Sequence, residues 1–134
     1  MQASERTKSA VATDIHNAGG TRVLVLRNDG QTADIKSLVH ELITEAWAQQ
    51  ATTIAIPIDC LPVEFFQLRS GAAVAMTQKL VNYRITVAFV GTIADHFLES
   101  QTFGDFIRDC NRGRSTWFVE DMNALSRRLD GRNR

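Results

Sequence analysis

The sequence predicts an α/β domain: a mostly parallel five-stranded sheet with helices packed on it, in the order ββαβαβαβα. Three observations carry this prediction. A glycine turn separates two short apolar stretches near the N-terminus, β-branched stretches are bounded by turn residues, and apolar residues recur at helical spacing between them. Alternating helices and strands favour a parallel sheet, because right-handed crossovers return each strand beside an earlier one.

Length and charge set the outer limits of the prediction. The 134 residues fit one domain, expected over residues 11–130, with a flexible tail at 1–10 and a frayed end at 131–134. Fifteen basic residues balance fifteen acidic ones, so the overall charge favours neither nucleic acid nor an anionic membrane as a partner. No segment approaches the roughly 20 apolar residues of a membrane span, and residues 1–10 lack the apolar stretch of a signal peptide. We therefore expect a cytoplasmic protein.

The first elements are a hairpin and a helix. VATDIH and TRVLVLRN flank Gly19 and Gly20, which supply the positive φ of a chain reversal. From Ile35 onward apolar residues recur at i, i+3, i+4 and i+7, with Thr32 or Asp34 placed to cap a helix. The predicted apolar positions of this helix are Ile35, Leu38, Val39, Leu42, Ile43, Ala46 and Trp47.

The middle of the chain predicts a central strand and one complete αβ unit. Residues 52–58 are β-branched or apolar at nearly every position, as expected for a strand covered on both faces. Residues 61–91 then give a loop, a helix that starts with small residues, and another strand.

The C-terminal part predicts two helices around a last strand. Phe103, Phe106, Ile107 and Cys110 have helical spacing, and Gly113 stands where the helix would end in a left-handed residue. Residues 115–119 give the strand. Met122, Leu125 and Leu129 mark the closing helix, with Glu120 or Asp121 at its start.

Much of residues 20–125 resembles an uncharacterised bacterial family catalogued as domain of unknown function 4180. The family pattern is an FF-D-L-[ST]-G loop, a helix ending in QK-[FL]-x-NYR, a strand closing on VG, and DFI…N-[RK]-GR before an aromatic strand. The matching residues are Phe65, Phe66, Leu68, Ser70, Gly71, Gln78, Lys79, Asn82, Tyr83, Arg84, Gly91, Asp105, Asn111, Gly113 and Arg114. Two departures are Gln67 in place of an acidic residue, and Val74-Ala75 where the family tends to have Gly-Glu.

The element order, with Ser-Gly opening the second helix, is also similar to the STAS domain of anti-sigma factor antagonists and sulfate-transporter tails. In that family the loop reads Asp-Ser-[Ser/Thr]-Gly, and a partner kinase phosphorylates its first serine. Alignment on Gly71 places Leu68 at the aspartate, Arg69 at the phosphoserine and Ser70 at the second hydroxyl. The resemblance implies a regulatory or protein-interaction module without catalysis, in which Ser70 is the candidate for modification, displaced by one position.

The segment around Ser70 has a structural interpretation as well as a functional one. A hydroxyl at a helix N-terminus suits a phosphate, but serine at this place is most simply an N-cap. Phe65 and Phe66 offer an apolar contact for another protein, although adjacent aromatics in a short loop usually turn one ring inward. We expect one ring inside and one partly outside, with Phe65, Phe66, Arg69, Ser70 and Gly71 as the partner-binding or regulatory residues.

Two polar turns are expected at the opposite end of the sheet, where the parallel strands begin. Asn82, Tyr83 and Arg84 form one, and Asn111 with Arg114 belongs to the other. They are able to meet as an Arg-rich cluster. Helix capping is the stronger interpretation, with Asn82 and Gly113 in unusual φ/ψ and the arginines bonding the last helix carbonyls.

The remaining candidates for chemistry are sparse. Cys60 and Cys110 are fifty positions apart, which favours two buried free thiols over a zinc site. The three histidines have no His or Cys neighbour at i+2 to i+4, and no phosphate-binding glycine motif is present, so the sequence predicts neither a metal nor a cofactor. The acid–base groups near the carboxyl edge of the sheet are Asp59, Glu64, Asp95 and His96.

Three functions remain open, in decreasing order of support. The first is a non-catalytic module that binds a protein partner through the loop and helix start at residues 61–75. The second is a small-molecule binder at the carboxyl edge of the sheet, formed by the loops after Ile58 and Gly91. The third is an enzyme that uses the four scattered acid–base groups. A homodimer, through a sheet edge or through Phe65 and Phe66, is a further possibility.

Overall fold

A computed structural model of the chain describes residues 12–27, 35–92 and 101–132. In this part of the chain the elements follow the predicted order ββαβαβαβα. The strands are β1 Ala12–Ala18, β2 Thr21–Arg27, β3 Thr53–Pro57, β4 Thr86–Val90 and β5 Thr116–Val119. The helices are α1 Ile35–Ala48, α2 Ala72–Asn82, α3 Gln101–Arg112 and α4 Met122–Arg132. The predicted tail at 1–10 and the predicted caps Thr32 and Asp34 lie outside the described residues.

The five strands lie side by side in chain order, β1-β2-β3-β4-β5. β1 is antiparallel to β2, and each later neighbour is parallel, so the sheet is mixed and mostly parallel. The parallel strands always step in the same direction, so right-handed crossovers place α1, α2 and α3 on one face. α4 follows the last strand and packs on the other face.

The larger core lies between the sheet and helices α1 to α3. Ile54, Ile56, Val87 and Phe89 are fully buried on this face, at alternate positions of β3 and β4. The prediction that β3 is a central strand covered on both faces is confirmed, because the intervening Ala55 is also fully buried, on the opposite face.

The second core is thinner, and small side chains make it so. Ala55 and Ala88 present little bulk at the middle of the sheet, opposite the fully buried Leu125 and Leu129 of α4. The helix therefore approaches the strands closely and reaches from β5 to the N-terminal hairpin.

The hairpin turn is where α4 comes closest to the sheet. Gly19 and Gly20 have φ of +56° and +79°, which confirms the predicted glycine turn and leaves only these two residues between the strands. A Cβ atom on Gly19 would lie 2.5 Å from the carbonyl oxygen of Ser126 and 2.6 Å from the amide nitrogen of Asp130. Gly19 therefore serves both the turn and the close packing of α4.

The helix ends differ in part from the predicted caps. Left-handed residues follow α1 and α2 at Gln50 (φ +59°) and Arg84 (φ +60°). The prediction of unusual backbone at Asn82 and Gly113 is wrong, because Asn82 is the last helical residue and the described backbone has no positive φ at Gly113. Asp121 is the cap of α4, since its Oδ1 accepts a hydrogen bond of 2.8 Å from the amide of Ala124.

Candidate functional site

The segment between β3 and α2 is built from short 3₁₀ turns rather than an open loop. The turns are Ile58–Cys60, Val63–Phe66 and Leu68–Ser70. Pro62 precedes the second turn with φ −73°, and its carbonyl accepts a hydrogen bond of 3.0 Å from the amide of Phe65. Nearly every residue of the segment is thus held by a local backbone bond or a turn.

Both phenylalanines of this segment point into the protein. Phe65 is fully buried and Phe66 is 7% exposed, so the prediction that one ring lies partly outside is wrong. The Phe65 ring centroid lies 4.9 Å from that of Phe89 and 6.3 Å from that of Phe103, and the Phe66 centroid lies 5.9 Å from Phe103. These rings join the segment to β4 and α3. The aromatic pair therefore fixes the position of the segment and offers no contact surface of its own.

Ser70 joins the last two turns to the start of α2. Its hydroxyl donates a hydrogen bond of 2.7 Å to the main-chain carbonyl of Glu64 and accepts one of 3.1 Å from the amide of Ala72. Gly71 stands between Ser70 and the helix with φ +78°, a conformation that favours glycine. The N-cap residue is Gly71, so the prediction that Ser70 is the N-cap is wrong by one position. The Ser70 hydroxyl still contributes to the helix start, because it accepts the amide of Ala72, the first residue of α2.

Other side chains of the segment form its outer surface. Val63 is 60% exposed and Val74 is 47% exposed, and the side chains of Gln67, Arg69 and Ser70 between them in sequence are exposed as well. Along this segment of the chain, two exposed apolar residues thus flank exposed polar and cationic ones. The buried side chains of Phe65 and Phe66 fix the backbone of this segment against the core.

The carboxyl edge of the sheet is filled where β3 and β4 end. Gly91 has φ +134°, and a Cβ atom there would lie 2.8 Å from Cγ1 of Ile58. Asp59 and Glu64 are exposed side chains in separate turns. The other two predicted acid–base groups, Asp95 and His96, lie outside the described residues.

The first polar turn, at the end of α2, is held by local contacts. Nε2 of Gln78 donates a hydrogen bond of 3.2 Å to Oδ1 of Asn82. The ring of Tyr83 meets the ring of Trp47 on α1 edge to face, with centroids 6.0 Å apart. Arg84 is exposed and adopts the left-handed conformation that ends the helix.

The second polar turn, at the end of α3, ties that helix to the edge strand β5. Oδ1 of Asn111 accepts a hydrogen bond of 2.7 Å from the amide of Phe118, and its main-chain carbonyl accepts one of 2.8 Å from Arg128. The arginine also lies over the ring of Trp117, 4.5 Å from its centroid, and burial lowers the pKa of its guanidinium. Asn111 is therefore a structural residue. Arg114 is exposed.

Neither cysteine forms a disulfide bond, and both are half-buried rather than buried as predicted. Burial, and then the negative charge of Asp109, raise the pKa of Cys110 to about 11. Within residues 12–27, 35–92 and 101–132, no three His, Cys, Asp or Glu side chains are grouped so as to hold a metal ion. In those same ranges no helix is both long enough and apolar enough to cross a bilayer.

The sequence prediction missed one surface, a groove between α1 and α2. Trp47, predicted to lie on the apolar face of α1, is 64% exposed. The sequence contains a signal of this exposure, which is the angular position of Trp47 on the helix. At 100° per residue, Trp47 lies well to one side of the buried stripe formed by Leu38, Leu42 and Ala46.

Comparison with known proteins gives one finding. A family model described as a domain of unknown function (DUF4180) matches residues 18–129, from the hairpin turn to α4. No curated protein and no solved structure shows a significant match to the chain.

Proposed function

Since the chain belongs to this family, we propose that it is a non-catalytic, STAS-like module that binds a protein partner through the outer surface of residues 61–75. The STAS-like part of the proposal is supported by the element order and by α2 starting directly after the Ser70-Gly71 turn. We expect this surface to bind a partner and not to catalyse a reaction.

One observation carries the proposal: two exposed valines lie on a framework that is fixed from inside. Val63 and Val74 are 60% and 47% exposed. Val63 belongs to the same turn as the buried Phe65 and Phe66, and Val74 lies in the first turn of α2, whose Ala73 and Met76 are buried in the same core. A rigid surface loses little conformational freedom on binding, which favours affinity. Exposed apolar side chains beside polar ones are typical of protein contact surfaces.

Ser70 gives this surface a means of regulation. Its hydroxyl proton is donated to the carbonyl of Glu64, and its oxygen accepts the amide of Ala72. A phosphate on this oxygen removes the donated bond and places negative charge beside a carbonyl, although the helix N-terminus favours that charge. Modification of Ser70 would therefore rearrange the turn that presents Val63.

We include a cytoplasmic location in this proposal. Cys60 and Cys110 are the two cysteines of the chain, and they form no disulfide bond, as is usual in a reducing compartment. A fluorescent fusion imaged in the organism that encodes the chain tests the location; a signal confined to a membrane or outside the cell would contradict it.

The experiment for the binding function is quantitative recovery of native complexes. The tagged chain is expressed in the encoding organism as wild type, as the double variant Val63→Asp plus Val74→Asp, and as Val81→Asp. Val81 is a matched control, an exposed valine of α2 outside the 61–75 segment. Thermal unfolding verifies that each variant is folded.

We expect wild type and Val81→Asp to recover a stoichiometric partner. The double variant should recover at least about tenfold less of it, because a charged side chain placed in an apolar contact weakens binding. Ser70→Glu should also change recovery while Ser70→Ala retains it. Absence of any partner, or equal recovery with all variants, contradicts the proposal.

A further inference from the structure

The groove between α1 and α2 has the composition of a recognition site. Its volume is about 270 Å³. The residues that line it are His40, Ile43, Thr44, Trp47, Lys79 and Tyr83. It lies on the flank of α2 that faces α1, whereas Val74 lies on the other flank, so this surface is separate from the one formed by residues 61–75.

Aromatic surface is unusually open in this groove. Trp47 is 64% exposed and Tyr83 is 43% exposed, whereas the second tryptophan of the chain, Trp117, is 2% exposed. The Trp47 and Tyr83 rings support each other edge to face at 6.0 Å. Tryptophan and tyrosine are the residues most enriched at binding hot spots, and a paired, pre-positioned set needs little ordering on binding.

The rim of the groove is cationic. Lys79 lines it directly, and Arg84 is exposed immediately after Tyr83. Lys36 is exposed one turn before His40 and therefore on the same face of α1. The acidic side chains of α1, Glu41 and Glu45, lie on the flank turned away from the groove by helical geometry.

The cationic side chains at the rim are not needed to cap the end of α2. The last carbonyls of α2 accept backbone amides: Tyr83 N–H bonds Leu80 at 3.1 Å, Arg84 N–H bonds Val81 at 2.8 Å, and Ile85 N–H bonds Leu80 at 3.0 Å. Because these carbonyls are bonded by the main chain, the cationic side chains remain available to an incoming ligand.

We propose that the groove binds an acidic amphipathic segment of a partner protein, with an apolar side chain against Trp47 and Tyr83 and carboxylates facing Lys36, Lys79 and Arg84. Charge complementarity selects this occupant. A second copy of the chain would bring the same cations face to face, which is unfavourable. A nucleic acid needs a longer basic track than three cations on a chain with no net charge. An apolar groove between two packed helices is a common binding site for a helical peptide.

The test uses a fluorescein-labelled peptide of about four helical turns, with leucines at i, i+3, i+4 and i+7 and glutamates elsewhere. The same peptide with lysines in place of glutamates is the charge control. Fluorescence anisotropy should show binding of the glutamate peptide only. We expect Trp47→Ala and Lys79→Glu to weaken it at least about tenfold, with the Lys79→Glu loss shrinking at high salt.

Matched variants separate the groove from general effects. Arg127→Glu reverses an exposed cation on α4, across the sheet, and should bind as wild type does. The bound peptide should also protect Trp47 from acrylamide quenching, since it is much the more exposed tryptophan. Thermal unfolding verifies the fold of each variant.

Four results would overturn the proposal: no binding of the glutamate peptide at millimolar concentration, equal binding of the lysine peptide, unchanged binding by Trp47→Ala and Lys79→Glu, or tighter binding of a single-stranded oligothymidine at the same residues. A wild-type dimer in light scattering that Trp47→Ala converts to a monomer would overturn it in favour of a second copy.

Discussion

The hydroxyl of Ser70 donates a hydrogen bond of 2.7 Å to the main-chain carbonyl of Glu64. It also accepts the first amide of α2, so Ser70→Ala removes two bonds at once. We expect a loss of about 1 kcal/mol in the free energy of unfolding, measured by urea denaturation, which is the usual net contribution of a side-chain hydrogen bond. Gln67→Ala changes an exposed neighbour in the same loop and should leave stability within about 0.5 kcal/mol of wild type. Equal losses from the two variants would contradict the contribution of Ser70 to the helix start.

Alanine substitutions at Gly19 and Gly71 distinguish the cost of a strained backbone from the cost of steric overlap. Both have positive φ, but a Cβ on Gly71 meets nothing within 4 Å, whereas one on Gly19 meets the backbone of α4. Gly71→Ala should cost about 1–2 kcal/mol, the price of a left-handed residue. Gly19→Ala should cost distinctly more, because α4 must also move. Similar midpoints of thermal unfolding for the two variants would contradict the close packing of α4 on the hairpin turn.

Asn111 protects the outer edge of the sheet. The carbonyls of Ser115 and Val119 pair with β4, so the amide of Phe118 points outward, where Asn111 accepts it at 2.7 Å. Asn111→Ala should cost about 1–3 kcal/mol by leaving that amide without a partner. Asn82→Ala, at the last residue of α2, is the control and should cost less, while Asn111→Asp keeps an acceptor and should recover part of the loss. Chemical denaturation measures all three; equal effects at the two asparagines would contradict the edge role.

Thr53 offers a stabilising substitution. Its side chain is fully buried at the start of β3, and its hydroxyl has no hydrogen-bond partner among the residues that the structure describes. Thr53→Val keeps the shape and removes the buried polar group, so we expect a gain of about 1 kcal/mol in the free energy of unfolding. Thr52→Val, at the exposed neighbouring position, should change it little. A loss of stability in Thr53→Val would show that the hydroxyl is satisfied in solution.

Cys110 makes stability depend on pH in the alkaline range. Its pKa is raised from 9.0 to about 11 in the folded protein, first by burial and then by Asp109. Between those values the unfolded chain has released the proton and the folded one has kept it, so the folded state binds more protons and stability falls as the pH rises. In a Cys60→Ala background, thiolate absorbance should titrate near the raised value, and near the ordinary one in urea. The same midpoint in both conditions would contradict the burial effect.

The sequence predicts the framework because local signals and packing agree there. The glycine turn at Gly19 and Gly20 and the covered strand around Ala55 are set by backbone conformation and hydrophobic burial, which act over a few residues. The contact of α4 with Gly19 joins residues more than a hundred positions apart, and no short-range pattern reports it.

The candidate site was less predictable because the orientation of its side chains depends on residues that are distant in sequence. Phe66 lies inward since Phe103 of a later helix packs against it. Trp47 lies outward since the stripe of α1 is already filled by smaller apolar residues. The left-handed residue after α2 is Arg84 rather than a glycine or asparagine, because its neighbours Tyr83 and Ile85 are fixed by contacts with α1 and the core.

The central claim is that the outer surface of residues 61–75 contacts a partner protein. Site-specific photo-cross-linking tests it most directly, with a benzophenone amino acid placed in turn at Val63, Val74 and the control position Val81 in the encoding organism. We predict one heterologous adduct of the same mass from positions 63 and 74, reduced by Ser70→Glu, and no such adduct from position 81. Adducts that are the same from all three positions, or none from 63 and 74, would contradict it.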